Sequence, residues 1–306
     1  MRSRKAPART NRRSRGTPQR IAILGHTGRT AVHRTAARLG KLLRSQGCEV
    51  RLDDDLGRKL GAPGAPLPEL AAWCQILITL GGDGTALRGA RALAGRAGTM
   101  LAVNLGGLGF LAMAEEHEVD DAVQAALTEK WEVARRHLLE ATVRRRSRAV
   151  HRGRAMNDAV VKTAGGYSAL HLRITALGHD LGLLVADGVI VASAAGSTAY
   201  SLSAGGPVVA PDVEAVLVTP VCPHTLGSRT LVVSGRERIE LRVIGSFDPA
   251  VLLLDGQEPV ALAPGDVVEV ELGRESVRLF QNPDRPFGRT LQTKLGWQGS
   301  EQRSLR

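Results

Sequence analysis

Gln75-Ile-Leu-Ile-Thr-Leu-Gly-Gly-Asp-Gly-Thr-Ala-Leu-Arg88 is the stretch whose reading decides the fold. Its opening apolar run predicts a buried strand over Gln75–Leu80, and the apolar spacing after it predicts a helix over Ala86–Ala94. Between them, glycines at 81, 82 and 84 let the backbone come close to a phosphate. The free N–H groups and dipole of the following helix point at the same place. Thr85 is suited to cap that helix, and Arg88, one turn in, to reach a transferred phosphate. Gly82, Gly84, Thr85 and Arg88 are therefore the candidate phosphate-binding residues. Asp83 does not fit an anion cradle as an anion binder. It fits as a base for a hydroxyl nucleophile, or as a ligand of magnesium beside phosphates. The string is no Walker A loop, which needs a lysine after its second glycine, and Gly25-His-Thr-Gly28 lacks the dinucleotide GxGxxG spacing.

Outward from this loop the same alternation repeats. Strands are expected at Arg20–Gly25, Cys48–Leu52 and Met100–Asn104, and helices over 30–46 and Val119–Leu127, with a loop over the Gly- and Pro-rich residues 56–68. Strands alternating with helices imply a parallel sheet with covered faces. Beyond about 138 the texture changes to short alternating runs at Glu237–Ile244, Ala250–Leu254, Asp266–Leu272 and Ser276–Phe280, which imply antiparallel β structure. The expected fold is an α/β Rossmann-like unit over 20–138, followed by a β-rich, sandwich-like unit over 139–280. A segment over 281–306 is expected to return to the first unit.

The net charge of +11 is mostly local. Arg2, Arg4, Lys5, Arg9, Arg12, Arg13, Arg15 and Arg20 fall in the first twenty residues with no acid among them, so the rest of the chain carries only about +3. Residues 1–19 read as a basic, disordered tail, with a polyanion-binding arm and a transit peptide as alternatives. Nucleic-acid binding is expected only non-specifically, through that tail. A second arginine run over 135–154 reads as a solvated hairpin face or a polyphosphate contact, and no aromatic residues interleave with it for base stacking. No apolar run reaches the ~20 residues that span a bilayer. Cys48, Cys74 and Cys222 are widely spaced, which fits free thiols in a reducing cytoplasm.

Several motifs together carry a resemblance. Gly81–Thr85 is the GGDGT string shared by NAD kinases, phosphofructokinases and diacylglycerol and sphingosine kinases. Val103-Asn-Leu-Gly-Gly-Leu-Gly-Phe-Leu111, Met156-Asn-Asp-Ala-Val160, Asp187 through Gly206, Pro223-His-Thr-Leu226, Leu254-Asp-Gly-Gln257 and Lys294-Leu-Gly-Trp297 follow in order. With them, residues 20–298 resemble the bacterial NAD kinases.

The resemblance implies ATP and NAD as substrates and Mg²⁺ as the metal, with no metal site built from protein ligands alone. It implies Asp83 as general base for the ribose 2′-hydroxyl and Gly84 at the phosphates. NAD would be bound by Asp83, Gly84, Phe110, Asn157, Asp158, Asp187, Thr198, Ala199, Tyr200, Ser201, Leu202, Ser203 and Gln257, in a homodimer or homotetramer that completes the site between subunits. Two departures stand out. Ser193-Ala-Ala-Gly196 replaces the usual Thr-Pro-Thr-Gly, which predicts a looser turn with one polar contact fewer. Val185 replaces a basic residue two positions before Asp187, which predicts some acceptance of NADH. The competing readings are a lipid kinase with the same glycine loop and a non-catalytic nucleotide- or polyanion-binding regulator.

Overall fold

The computed structural model describes residues 18–107, 109–165, 169–257 and 259–296. Most of the basic tail, Leu108, Trp297 and the residues after it lie outside that range. The first half runs β1 (Arg20–Gly25), α1 (Thr30–Ser45), β2 (Glu49–Asp53), α2 (Asp54–Leu60), β3 (Gly64–Ala65), α3 (Leu67–Trp73), β4 (Ile76–Gly81), α4 (Asp83–Leu93), β5 (Thr99–Asn104), β6 (Ala114–Glu115) and α5 (Val119–Leu127). The second half runs β7 (Glu132–Arg145), β8 (Arg148–Ala155), β9 (Asp158–Thr163), β10 (Leu170–Ala176), β11 (His179–Ala186), β12 (Gly188–Ser193), α6 (Tyr200–Ser203), β13 (Ala215–Val221) and β14 (Leu231–Ser234). It closes with β15 (Ile239–Gly245), β16 (Ala250–Leu254), β17 (Val260–Leu262), β18 (Val267–Gln281) and α7 (Phe287–Leu295).

The α/β half forms for the reasons its sequence gives. β1, β4 and β5 are mostly apolar, buried along nearly their whole length, and pair in parallel, so both faces must be covered. α1 covers one face with Val32, Ala36, Leu39 and Leu43, each buried leucine contributing roughly 2 kcal/mol. Leu87, Ala90 and Leu93 of α4 bury against Leu24, Leu77 and Met100 on the other. In the β-rich half, a sheet in the order β14-β13-β12-β9-β16-β17 shares one apolar core with β7, β10, β15 and β18, through residues such as Leu139, Val161, Leu172, Val189, Val218 and Leu241.

Three expectations change. Residues 56–68 are no loop: α2, β3 and the start of α3 occupy them. Gly57 sits where a Cβ would come within 2.8 Å of the Gly64 backbone, so glycines that read as a turn signal serve a close helix–strand approach. The two strands expected over 266–280 are one strand, β18, interrupted by a register shift between Leu272 and Ser276. β18 pairs antiparallel with β7 and β15 and parallel with β5. It therefore joins both halves in one twelve-stranded sheet, and position 138 lies within β7. Gln19, placed in the expected tail, accepts a backbone hydrogen bond from Glu49 at 2.9 Å and belongs to the folded body. In the segment after 281, Arg285 pairs with Glu115 and Glu118 at 3.5 and 2.5 Å, tying α7 to the first half.

Candidate active site

The carboxyl ends of β1, β4 and β5 lie level, with Gly25 in register with Leu80 and Gly81 with Asn104. This edge is where open α/β sheets bind ligands. α4 starts there at Asp83, with Gly82 as its extended N-cap. The helix thus begins earlier than its apolar spacing suggests, and Thr85 lies in its first turn rather than at the cap. The Thr85 hydroxyl rests against Gly81, where any Cβ would strike it.

Asp83 is the first helical residue. Its Oδ2 accepts the Phe110 N–H at 3.3 Å, while Oδ1 is buried with no hydrogen-bond partner among the described residues. Burial pushes the carboxyl above the ordinary range, against the Phe110 and Leu111 amides and the charge of Lys294. Gly109 presses directly on this carboxylate, and a Cβ there would overlap it. Lys294 acts from α7, a role that only the returning C-terminal helix makes visible. Arg88 acts electrostatically on buried Asp53, whose Oδ1 accepts the Gly25 N–H at 3.1 Å. Arg29, not singled out from the sequence, lays its guanidinium over Gly106 at the same sheet edge.

Asn157 and Asp158 stand at the start of β9. The Asn157 side-chain oxygen is a second buried acceptor with no partner among the described residues. Asp158 is buried, and desolvation with the nearby Asp255 charge pushes its carboxyl up to about 7. Asp255, within Leu254-Asp-Gly-Gln257, holds this segment, a role the sequence pattern does not signal. Its Oδ2 takes the Met156 N–H at 3.0 Å and its Oδ1 the Asn157 and Asp158 N–H groups at 2.7 and 3.3 Å. Arg91 of α4 closes on Oδ2 at 2.6 Å.

The Ser193–Gly196 turn is held rather than loosened. The Ser193 hydroxyl donates to the Met156 carbonyl at 2.6 Å and accepts the Gly196 N–H at 3.1 Å. Gly196 packs on the Asn157 carbonyl too closely for any side chain. The turn thus fastens itself to the Asn157–Asp158 segment.

The predicted dinucleotide residues divide. Phe110 and Thr198 line one cavity with Met156, Arg136 and Phe287. The Arg136 guanidinium there is held below its ordinary value by burial, opposed by the charge of Asp212. Ala199, Tyr200, Leu202 and Ser203 follow on the adjoining turn and α6, with Tyr200 exposed. Ser201 is fully buried, and its hydroxyl meets that of Thr219 at 2.8 Å, so it anchors α6 instead of facing a ligand. Gln257 lines a separate cavity of about 730 Å³ with Arg91, His151 and Arg152. Asp187 is exposed at the opposite end of β12. Asp158 pairs with Ala192, and the intervening strand puts Asp187 roughly 17 Å away at ~3.4 Å per residue. One chain does not bring Asp187 to Asn157.

Three of the eight arginines of the 135–154 run have carboxylate partners among the described residues. Arg144 pairs with Glu269 at 2.7 Å, Arg145 with Asp266 at 2.7 Å and Arg154 with Glu275 at 2.7 Å. Among the described residues no cluster of three His, Cys, Asp or Glu side chains could hold a metal, and no helix is long and apolar enough to cross a membrane.

Comparison with known proteins agrees with this geometry. Residues 21–131 match the ATP-NAD kinase N-terminal domain and residues 156–281 the ATP-NAD kinase C-terminal domain. The chain is 37% identical over 291 residues to NAD kinase 2 of Streptomyces coelicolor, covering 92% of this chain and 97% of that one. It is 38% identical over 259 residues to the NAD kinase of Desulforamulus reducens, covering 84% and 90%. Among solved structures, yeast NADH kinase complexed with NADH superimposes with a TM-score of 0.85 at 26% identity, covering 94% of this chain and 90% of that one. The NAD kinase of Archaeoglobus fulgidus in complex with ATP gives 0.73 at 25% identity, covering 91% and 98%. The glycine cradle around Asp83, the Asn157–Asp158 segment linked to its helix through Asp255 and Arg91 and these matches along nearly the whole chain agree: the protein belongs to the ATP-NAD kinase family.

Proposed function

We propose that this chain is an NAD kinase, transferring the γ-phosphoryl group of ATP to the adenosine 2′-hydroxyl of NAD to give NADP and ADP. The observation that carries the reading is the Asp83 carboxyl, buried in a glycine cradle with one oxygen unpaired. The hydroxyl donates its proton to that oxygen while its own oxygen attacks the γ-phosphorus. The bond to the ADP oxygen breaks as the new P–O bond forms. Burial raises the basicity of Asp83, which favours proton transfer, and the N–H groups at the start of α4 receive phosphate oxygens. Most of the rate comes from holding the two substrates in line.

Asn157 accepts from a hydroxyl or amino group of NAD through its unpaired oxygen. Asp158 accepts from vicinal ribose hydroxyls, and Phe110 offers a face to the adenine. Gly82, Gly84, Thr85 and Arg88 attend the donor phosphates. Mg²⁺ fits as a companion of those phosphates: a hard cation keeps waters and takes one or two carboxylates, and Asp83 is within the cradle to supply one. When bound it neutralises charge on the phosphate oxygens.

The roughly 17 Å strand between Asp158 and Asp187 supports a homo-oligomer in which Asp187 serves the nicotinamide end of a neighbouring subunit's site. Cys48, Cys74 and Cys222 form no disulfide among the described residues, which fits a cytoplasmic setting. Against a lipid kinase, the Asn157–Asp158 segment has polar acceptors suited to a dinucleotide and none suited to acyl chains. The test is Asp83→Asn, which keeps the shape of the cradle but removes the base. kcat should fall at least ~10²-fold with NAD affinity nearly unchanged. Wild-type turnover in the folded variant would remove Asp83 from the mechanism.

A further inference from the structure

Asp255 is the most heavily committed carboxylate at the site, and the reaction itself does not use it. Its side chain is 0% exposed and meets Arg91 at 2.6 Å. It gathers three consecutive backbone N–H groups, those of Met156, Asn157 and Asp158, and its own N–H donates to the Asp158 carbonyl at 2.9 Å. The residue holds a left-handed backbone, φ 50°, followed by Gly256 at φ 65°. Side-chain oxygens accepting four donors saturate a carboxylate. The four come from two places far apart in the chain: the strand entrance that presents Asn157 and Asp158, and the helix that begins with Asp83.

We propose that Asp255 is a positioning residue for the acceptor substrate, and that its salt bridge to Arg91 fixes the Asn157–Asp158 segment in register with α4 and therefore with the Asp83 base. This rests on the NAD kinase reading above and deepens it. The backbone at 156–158 has no β-ladder partner for these N–H groups where the strand begins, so without Asp255 they would lie unpaired in a buried place. Arg91 lies eight residues after Asp83 on the same helix, so a rigid α4 transmits any displacement of the segment to the base. A misplacement of about 1 Å at reacting atoms costs on the order of 10²-fold in rate.

The arrangement has an electrostatic signature that a purely structural brace would lack. Asp158 is faced by the Asp255 carboxylate and, beyond it, by Arg91. Its register partner on β12 is Ala192, and Leu253 and Leu254 on β16 are apolar. The Asp255 charge helps hold the Asp158 carboxyl at about 7. Calorimetric NAD affinity of the wild type should therefore strengthen as pH rises through that value, because the ionised carboxylate is the form that accepts ribose hydroxyls.

Asp255→Asn keeps the shape, removes the charge and turns an N–H₂ towards donors. Measured by calorimetry, NAD binding should weaken at least ~10-fold at pH 8 while ATP binding stays within ~3-fold. The pH limb of NAD binding should also move to lower pH. Arg91→Met leaves the three N–H bonds in place but cuts the link to α4. kcat should drop ~10-fold or more with NAD affinity little changed, the limb should not move to lower pH, and Arg91→Lys should restore most of the rate. If Asp255→Asn fails to fold, the Arg91 pair alone carries the test. An unmoved limb with wild-type NAD affinity in Asp255→Asn, or wild-type kcat in Arg91→Met, overturns the proposal. Absence of NADP formation by the wild type would instead sink the kinase reading, which the calorimetry does not depend on.

Discussion

Asp158→Asn should stabilise the protein while damaging its site, and the size of the gain follows from burial. The Asp158 carboxyl moves from an ordinary 3.8 to about 7 because it is desolvated and sits by Asp255. At about 1.4 kcal/mol per tenfold change in proton affinity, that displacement corresponds to roughly 4 kcal/mol of cost for keeping Asp158 ionised. The sign is fixed by linkage. Below 3.8 the side chain is neutral in both folded and unfolded chains and costs nothing. Between 3.8 and about 7 the folded protein alone holds the proton, so stability falls as pH rises; above about 7 the whole cost is present. Asparagine removes the charge and is desolvated much as the neutral acid is, so the two proteins match near pH 4 and about 4 kcal/mol separates them at pH 8. For a chain of this size, with an unfolding entropy on the order of 0.6 kcal/mol per kelvin, that is a Tm increase of roughly 6 °C. Thermal unfolding of wild type and variant at pH 4, 6 and 8 measures it. The gap should be near zero at pH 4 and open towards pH 8, while NAD affinity at pH 8 falls. A gap independent of pH, or a less stable variant at pH 8, would refute the burial argument.

Further outcomes follow from single contacts. Gly109→Ala removes no functional group but pushes into the Asp83 carboxylate, so kcat should fall at least ~10-fold with NAD affinity little altered; unchanged kcat would mean that Asp83 has room to move. Val185→Arg should change the ratio of kcat/KM for NADH to that for NAD, because a positive charge near the nicotinamide meets a cationic ring in one and a neutral ring in the other; an unchanged ratio would show that position 185 does not set the choice. Removal of residues 1–17 should leave NAD turnover intact while weakening salt-sensitive binding to polyphosphate, and loss of turnover would show that the tail serves the body.

The glycine loop and its flanking strand and helix were legible because local rules suffice there: an apolar run, glycines at an anion edge and an aspartate with no structural duty. The β-rich half was legible from alternation, but its continuity with the first half was not. The parallel pairing of Arg278 and Leu279 with Thr99 and Met100 joins segments that no window can relate. Residues 56–68 misled for the opposite reason, since Gly57 and Gly64 are there for close approach and look like turn formers. The arginine run reads as a solvated face or polyphosphate contact in sequence because its partners arrive from far along the chain, Glu269 and Glu275 on β18 and Asp266 just before it. Asp255 was hidden because three of its partners are backbone N–H groups, which carry no residue signature, and the fourth, Arg91, lies far back in the chain. The Ser193 hydroxyl fastens a turn that has no proline, something visible only once Met156 and Gly196 are beside it.

The most direct test of the central claim is phosphorus NMR of the product formed from NAD and ATP·Mg²⁺ by the purified wild type, with Asp83→Asn run beside it. The account predicts a new phosphomonoester on the adenosine 2′-oxygen, one ADP released for each, and at least ~10²-fold slower appearance in the variant. ATP consumption with no ester at that oxygen, or equal rates in the two proteins, would contradict it.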